Sequence, residues 1–329
     1  SQGNSNYNKL VRLLTASKNL FIKLMNTMPK TINLENKFSV FSIINPAKMF
    51  IGIIAAVPIA FSLPAKALEV QILPKSPQLG DTISVVIEST NSDNISNPTV
   101  AVGQKTYPAF EIAPRKYRSF IPTTPLEKAG VRTIKISEAG QEKNLLVQVR
   151  DRKFPVQRIT LPSGKAGVKA TEYELKRVAE LKALQTPEKY WHGIFLTPNT
   201  GRTSTKYGVR RYYNGEFAKD YYHRGQDYAG GEGSAVTTPA AGRVALVGKV
   251  SQGFRVHGNV VGIDHGQGVI SIFMHLSRIN VQEGDFVKAG EKIGAVGSTG
   301  ASTGPHLHWG LYVNGQSVDP LPWKSQQID

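Results

Sequence analysis

Runs of apolar and β-branched residues, cut by glycine and polar turns, recur along most of the chain after residue 67. Thr82–Ile87, Val131–Ile136 and Asn144–Val149 are such runs, and Gly80-Asp81, Ser92–Asn97 and Gly140-Gln141 punctuate them. About seven short strands at this spacing predict an immunoglobulin-like β-sandwich over residues 68–150. Nothing there carries obvious chemistry, so this domain reads as a spacer, with wall binding as the alternative. Residues 151–190 form a linker with one helix, over Thr171–Leu184. Leu175, Val178, Leu181 and Leu184 recur every third residue, and Thr171 with Glu174 writes a capping box. Residues 191–324 return to β structure, with apolar runs at Val244–Val247, Val260–Ile263, Val269–Leu276, Lys292–Val296 and His306–Val313. No repeat of 20–50 residues appears. The fold class is therefore mainly β, in two domains.

Residues 1–67 differ. The apolar run 49–63 follows Lys48 and ends before Pro64-Ala65-Lys66-Ala67. A basic flank, a short apolar stretch and an A-x-A end describe a secretory signal cleaved after Ala67, or else an uncleaved anchor. Export to the periplasm or cell envelope follows, with an inner-membrane anchor as the variant. Net charge is +16, and residues 1–48 carry seven Lys or Arg against one Glu. Such charge favours anionic surfaces. Zinc-finger spacing, ribonucleoprotein aromatics and a basic heptad helix are all missing from the sequence, so nucleic acid is not the expected partner. There is no cysteine, which removes disulfides, thiolate ligands and cysteine nucleophiles.

Candidate chemistry lies among the seven histidines. In His223-Arg224-Gly225-Gln226-Asp227 an imidazole and a carboxylate stand four apart, and both suit zinc. Gly225 lets the backbone bend so that they converge. In a strand over His306–Val313, Leu307, Trp309, Leu311 and Val313 share the core face, and His306 and His308 share the other. Two histidines on a cleared strand face point to a bound metal. Met274-His275-Leu276 ends another apolar run, and strand parity places His275 with Val269, Ser271 and Phe273. His192, His257 and His265 read as turn or surface residues without a role. A helix-borne His-Glu-x-x-His, a P-loop lysine and a Gly-x-Ser-x-Gly elbow are all missing. These spacings predict a metal site on strands without saying which histidine binds and which reacts.

Residues from about 200 to 320 resemble the lysostaphin/LytM family of peptidoglycan metallopeptidases. The motifs that carry the resemblance stand in family order: His223-x-x-x-Asp227, Pro239–Val244, Gly258–Gly266, Met274-His275-Leu276, Gly284-Asp285, Gly297–Gly300 and His306-Leu307-His308. The resemblance implies an antiparallel β fold with an open groove, one zinc ion held by His223, Asp227 and His308, and catalytic roles for His275 and His306. It implies a zinc-dependent endopeptidase acting on peptidoglycan stem or cross-link peptides. The competing expectation is a catalytically silent module that binds peptidoglycan or regulates an amidase. Gln226 departs from the apolar residue usual before the ligand aspartate. The family's transition-state tyrosine has four candidates here, Tyr212, Tyr213, Tyr221 and Tyr222.

Overall fold

A computed structural model of the chain describes residues 68–89, 97–160, 167–325 and 328. The described residues all fall within one unit, Ser62–Asp329. The signal or anchor expected in residues 1–67 lies outside the described residues.

The first eight strands are β1 (Glu69–Leu73), β2 (Thr82–Glu88), β3 (Thr99–Val102), β4 (Lys105–Tyr107), β5 (Ala109–Ala113), β6 (Lys116–Pro122), β7 (Gly130–Glu138) and β8 (Gln141–Val149). They form two four-stranded antiparallel sheets, ordered β1-β2-β6-β5 and β4-β3-β7-β8. Period-two alternation builds the layer between them. Ile83, Val85 and Ile87 of β2 meet Ile134 and Ile136 of β7 and Val147 and Val149 of β8 in one apolar cluster.

The connector holds β9 (Val156–Ile159) and helix α1 (Glu172–Lys182). Thr171 caps α1, and both halves of the capping box with Glu174 are formed. The expected apolar stripe is corrected at one end: Leu175 is 56% exposed, and Glu174 is buried with Val178 and Leu181. At about 100° per residue, steps of three drift backwards by about 60° each, so Leu175 leaves the face that Val178 and Leu181 share. Spacing of four and seven instead lines up Glu174, Val178 and Leu181.

Thirteen more elements complete the β structure: β10 (Arg202–Thr205), β11 (Arg210–Tyr213), β12 (Glu216–Phe217), β13 (Gln226–Ala229), β14 (Ala235–Thr237), β15 (Gly242–Gly248), β16 (Asn259–Gly266), β17 (Val269–Ile279), β18 (Phe286–Val287), β19 (Lys292–Val296), β20 (Leu307–Val313), β21 (Gln316–Val318) and a short helix at Leu321–Ser325. Ten of the strands make one sheet along the path β10-β13-β20-β17-β16-β15-β18, to which β14, β19 and β21 add. Leu307, Trp309, Leu311 and Val313 enter its main core with Phe273 and Ile263, as strand parity requires. On the opposite face Val178 and Leu181 of α1 cover Ile270, Ile272 and Tyr312. A separate small sheet pairs β9 in parallel with β11, which also pairs with β12. The expectation for the connector contained no such strand.

Two histidine readings are corrected. His265 is fully buried, not at the surface, because it closes β16 with its side chain inward just before the turn at Gly266. His275 does not follow the parity of β17. Its φ is +65°, and the pairing of β16 with β17 shifts register between Asn259 and Val261. A left-handed residue in a strand breaks the alternation as a bulge does. It turns the His275 ring away from Phe273 and toward the rings of His306 and His308, 4.9 and 6.4 Å away.

The two four-stranded sheets and the ten-stranded sheet belong to one compact unit and are packed together. Phe120 of β6 lies in the main core of the large sheet beside Trp191 and Trp323. Arg118, almost fully buried, donates to Gln267 Oε1 at 2.9 Å, and Arg152 pairs with Asp319 at 2.8 Å.

Candidate metal centre

Strands β13 and β20 are antiparallel neighbours, with Asp227 directly opposite His308. Directly opposed residues project to the same face, so a carboxylate meets an imidazole there. His223 reaches the same point from the turn before β13. Gly225 makes this approach feasible by its lack of a side chain, since its φ is not positive. A Cβ at Gly225 would sit 2.5 Å from the Trp309 carbonyl oxygen and 2.7 Å from the His308 ring.

Three atoms converge. His308 Nδ1 lies 2.9 Å from Asp227 Oδ1 and 3.2 Å from His223 Nε2, and His223 Nε2 lies 3.1 Å from Asp227 Oδ1. All three residues are buried. His223 Nδ1 stands 2.9 Å from the Lys206 carbonyl, to which it donates, so its Nε2 carries the lone pair toward the cluster. Burial would raise the Asp227 carboxyl, but the His223 and His308 imidazoles hold it well below the usual carboxylate range. Burial pushes His308 down, against the pull of Asp227 upward. A carboxylate and two imidazole nitrogens gathered this closely in a buried place form a donor set that a cation between them would satisfy. Bonds of about 2.0–2.1 Å to one tetrahedral zinc would set these atoms about 3.3 Å apart. The donors therefore fit one zinc ion, and the N₂O set without sulfur suits zinc.

His275 and His306 flank the cluster. His275 Nδ1 is 2.8 Å from the Thr299 carbonyl, and His306 Nδ1 is 2.8 Å from the Gly304 carbonyl. Each ring donates from Nδ1 and keeps Nε2 free of its proton. His306 Nε2 stands 4.0 Å from Asp227 Oδ1. Burial, aided by His308 and His306, pushes His275 down to about 3.

The four tyrosines separate. Tyr222 donates to the Ser317 carbonyl, and Tyr212 packs on Phe217 under Arg158. Tyr213 and Tyr221 both accept from Arg211 Nη1, at 3.3 and 2.7 Å. Burial first, with a smaller contribution from Asp227, raises Tyr221 to about 12. Arg211 also feels Asp227. Sequence reasoning missed Arg211; its place in a Tyr-rich hairpin before the metal motif was the available signal. Gln226, on the opposite face from Asp227, is buried and satisfied by Thr203 Oγ1 and the Tyr207 amide. An amide there costs no unpaired polar atom.

Residues 221–320 match the model of Peptidase family M23. This part of the chain is an M23 peptidase domain. It is 44% identical over 99 residues to the DD-carboxypeptidase/endopeptidase Mpg of Neisseria meningitidis, covering 30% of this chain and 22% of that protein. Over 195 residues the chain is 29% identical to the murein hydrolase activator NlpD of Salmonella dublin, covering 59% of this chain and 46% of that protein. A crystal structure described as a putative peptidase M23 from Pseudomonas aeruginosa superposes with a TM-score of 0.56 at 26% identity, over 76% of this chain and 96% of that one. The chain spans less than half the length of these curated relatives. The M23 domain thus sits on a mainly β fold, with its one zinc-fitting cluster at the junction of β13 and β20.

Proposed function

We propose that this chain is a zinc-dependent endopeptidase that hydrolyses peptide cross-links of bacterial peptidoglycan. The observation that carries the reading is the convergence of His223 Nε2, Asp227 Oδ1 and His308 Nδ1 beside two further imidazoles whose Nδ1 protons are committed to carbonyls. In this reading His223, Asp227 and His308 hold the ion. Zinc bound there supplies a Lewis acid able to polarise a peptide carbonyl and acidify water. His275 or His306 accepts the proton of the attacking water at Nε2, a general-base contribution of roughly 10²–10⁴-fold. The other histidine and Tyr221, which burial keeps protonated, steady the developing oxyanion. The endopeptidase relative in Neisseria supports the substrate class.

The domain division extends the proposal: a leader in residues 1–67, an immunoglobulin-like domain at 68–150, a linker with a helix at 151–190 and the peptidase domain at 191–324. The orders β1-β2-β6-β5 and β3-β7-β8 support the immunoglobulin-like reading, since they parallel the four-plus-three strand order of that fold, with β4 as an added edge. Peptidoglycan as substrate places the protein in the exported cell envelope. Among the described residues no helix is long and apolar enough to cross a membrane.

The likeness to a murein hydrolase activator favours a second reading, a module that binds peptidoglycan without cutting it. Digestion of purified peptidoglycan by the full chain separates the two. Zinc-dependent release of muropeptides, abolished by chelator and by His308→Ala, would establish the peptidase and identify its bond by mass. Binding without release from any wall type would move the assignment to the activator reading.

A further inference from the structure

Glu174 is fully buried on α1, outside the segment matched by the family. It completes the helix cap, and that duty needs only Thr171. Yet its carboxylate also gathers a loop from the peptidase domain. Oε2 accepts from the Arg255 amide at 2.9 Å. Oε1 accepts from the amides of Val256 at 3.0 Å and His257 at 2.7 Å, and from His257 Nδ1 at 2.7 Å. Burial alone would raise this carboxyl, but the His257 and Arg255 donors hold it below its usual range. Burial also lowers His257 despite Glu174, so its neutral ring donates Nδ1–H to a carboxylate.

The same loop turns its carbonyls to the catalytic side. The His257 carbonyl accepts from the His275 amide at 3.0 Å, and the Val256 carbonyl accepts from the Ala301 amide at 3.0 Å. Thr299 stands between them and accepts the His275 Nδ1 proton on its carbonyl. Thr299 Oγ1 accepts from the Asn259 amide at 3.0 Å and donates to the Leu276 carbonyl at 2.9 Å. The loops touch backbone to backbone. A Cβ at Gly300 would lie 2.4 Å from the Gly258 amide nitrogen, and one at Gly258 would lie 2.5 Å from the Thr299 carbonyl. Packing this close transmits displacement rather than absorbing it. His275 meanwhile holds a left-handed conformation, which is strained for a non-glycine residue and persists only where its surroundings impose it.

We propose that Glu174 is a positioning residue of the catalytic centre. By clamping the amides of residues 255–257 it fixes the His257 carbonyl and Thr299, and these hold His275 left-handed with Nδ1–H on Thr299 and Nε2 bare. The connector helix is then part of the catalytic apparatus. The proposal rests on the reading of His275 as a proton-accepting residue.

The test compares the full zinc-loaded chain with Glu174→Gln and Glu174→Asp. Zinc affinity, kcat and KM on a cross-linked muropeptide, and ¹⁵N-histidine spectra of the imidazoles are read together. Glu174→Gln sets an amide group against backbone donors; kcat should fall about 10–100-fold, as for outer partners of metal sites, with KM and zinc affinity unchanged. The His275 signal should pass from one Nδ1–H tautomer to a mixture. Glu174→Asp, which keeps the charge, should recover part of both. Wild-type kcat with an intact Nδ1–H tautomer in Glu174→Gln would overturn the proposal. A loss of kcat that only tracks lost zinc or lost fold would overturn it too. If neither variant folds, the wild-type spectrum decides: an Nε2–H tautomer at His275 sinks the clamp, and the Nδ1–H tautomer sustains it. If the wild type cuts no peptidoglycan, the peptidase reading fails, while the tautomer shift still reports on the clamp.

Discussion

Both faces of the ten-stranded sheet bury histidines, and the two faces treat them in opposite ways. On the core face His265 has Nδ1 2.8 Å from the Ala241 carbonyl and Nε2 2.8 Å from Ser271 Oγ, with its ring edge-on to Phe195. Trp309 Nε1 donates to the same Ser271 oxygen, so the hydroxyl proton is left for His265 Nε2. Every polar atom is paired, and nothing remains for a ligand. On the opposite face His223 Nε2, Asp227 Oδ1 and His308 Nδ1 converge on a single point that suits a metal ion. Burial and histidine count do not separate these faces; completed hydrogen bonding does.

Neighbouring residues of β20 give the largest contrast. His308→Ala should lower peptidoglycan hydrolysis by about a thousandfold or more, because a ligand to the Lewis acid is lost. In chelator its unfolding free energy should fall by at most about 1–3 kcal/mol, since the buried Asp227 loses one of its two imidazole partners. Trp309→Ala should do the reverse. Its fully buried ring lies in the main core, and removal should cost about 3–5 kcal/mol in urea unfolding. The folded fraction should still bind zinc. A large stability loss in chelated His308→Ala would erase the distinction between the faces.

His265 sharpens the comparison through pH. Burial pushes it from 6.5 down to about 4. A histidine depressed by folding contributes fully above its unfolded pKa. As pH falls from about 6.5 toward 4, the unfolded chain takes up a proton that the folded chain refuses, so stability declines by up to about 3 kcal/mol and then levels off. The slope of unfolding free energy between pH 7.5 and 4.5, in chelator, should be shallower by that amount in His265→Gln. Equal slopes in the two proteins would mean that His265 protonates freely in the core.

Sequence reasoning reached His306 and His308 because alternation in β20 is local and unbroken. It reached the capping box of α1 for the same reason, since Thr171 and Glu174 are one turn apart. It misplaced His275 because hydropathy does not record a backbone that turns left-handed. It misread His265 because the following glycine marks a turn without saying that the preceding side chain points inward. Strand β9 was invisible: most of its residues are exposed, and its bond to β11 runs through the backbone. Eight strands stand where about seven were expected in residues 68–150, the expectation resting on the spacing typical of such domains. The second duty of Glu174 depends on amides about 80 residues further on, beyond any local pattern.

The smallest effect should come from Leu175, next to the buried carboxylate. By residue type Leu175 is the core position of α1 and Glu174 the solvent position; in the fold they are exchanged. Leu175→Ala removes apolar surface that is already 56% exposed and leaves the helix with the residue of highest intrinsic propensity. Lost contact and gained propensity nearly cancel, so unfolding free energy and kcat should both stay within about 0.5 kcal/mol of wild type, the range for surface changes. Val178→Ala, one turn on and 5% exposed, is the control and should cost about 1–2 kcal/mol. A Leu175 effect as large as that of Val178 would mean that α1 lies on the sheet through the stripe of every third residue. Glu174 would then face solvent, and the clamp on residues 255–257 would lose its anchor.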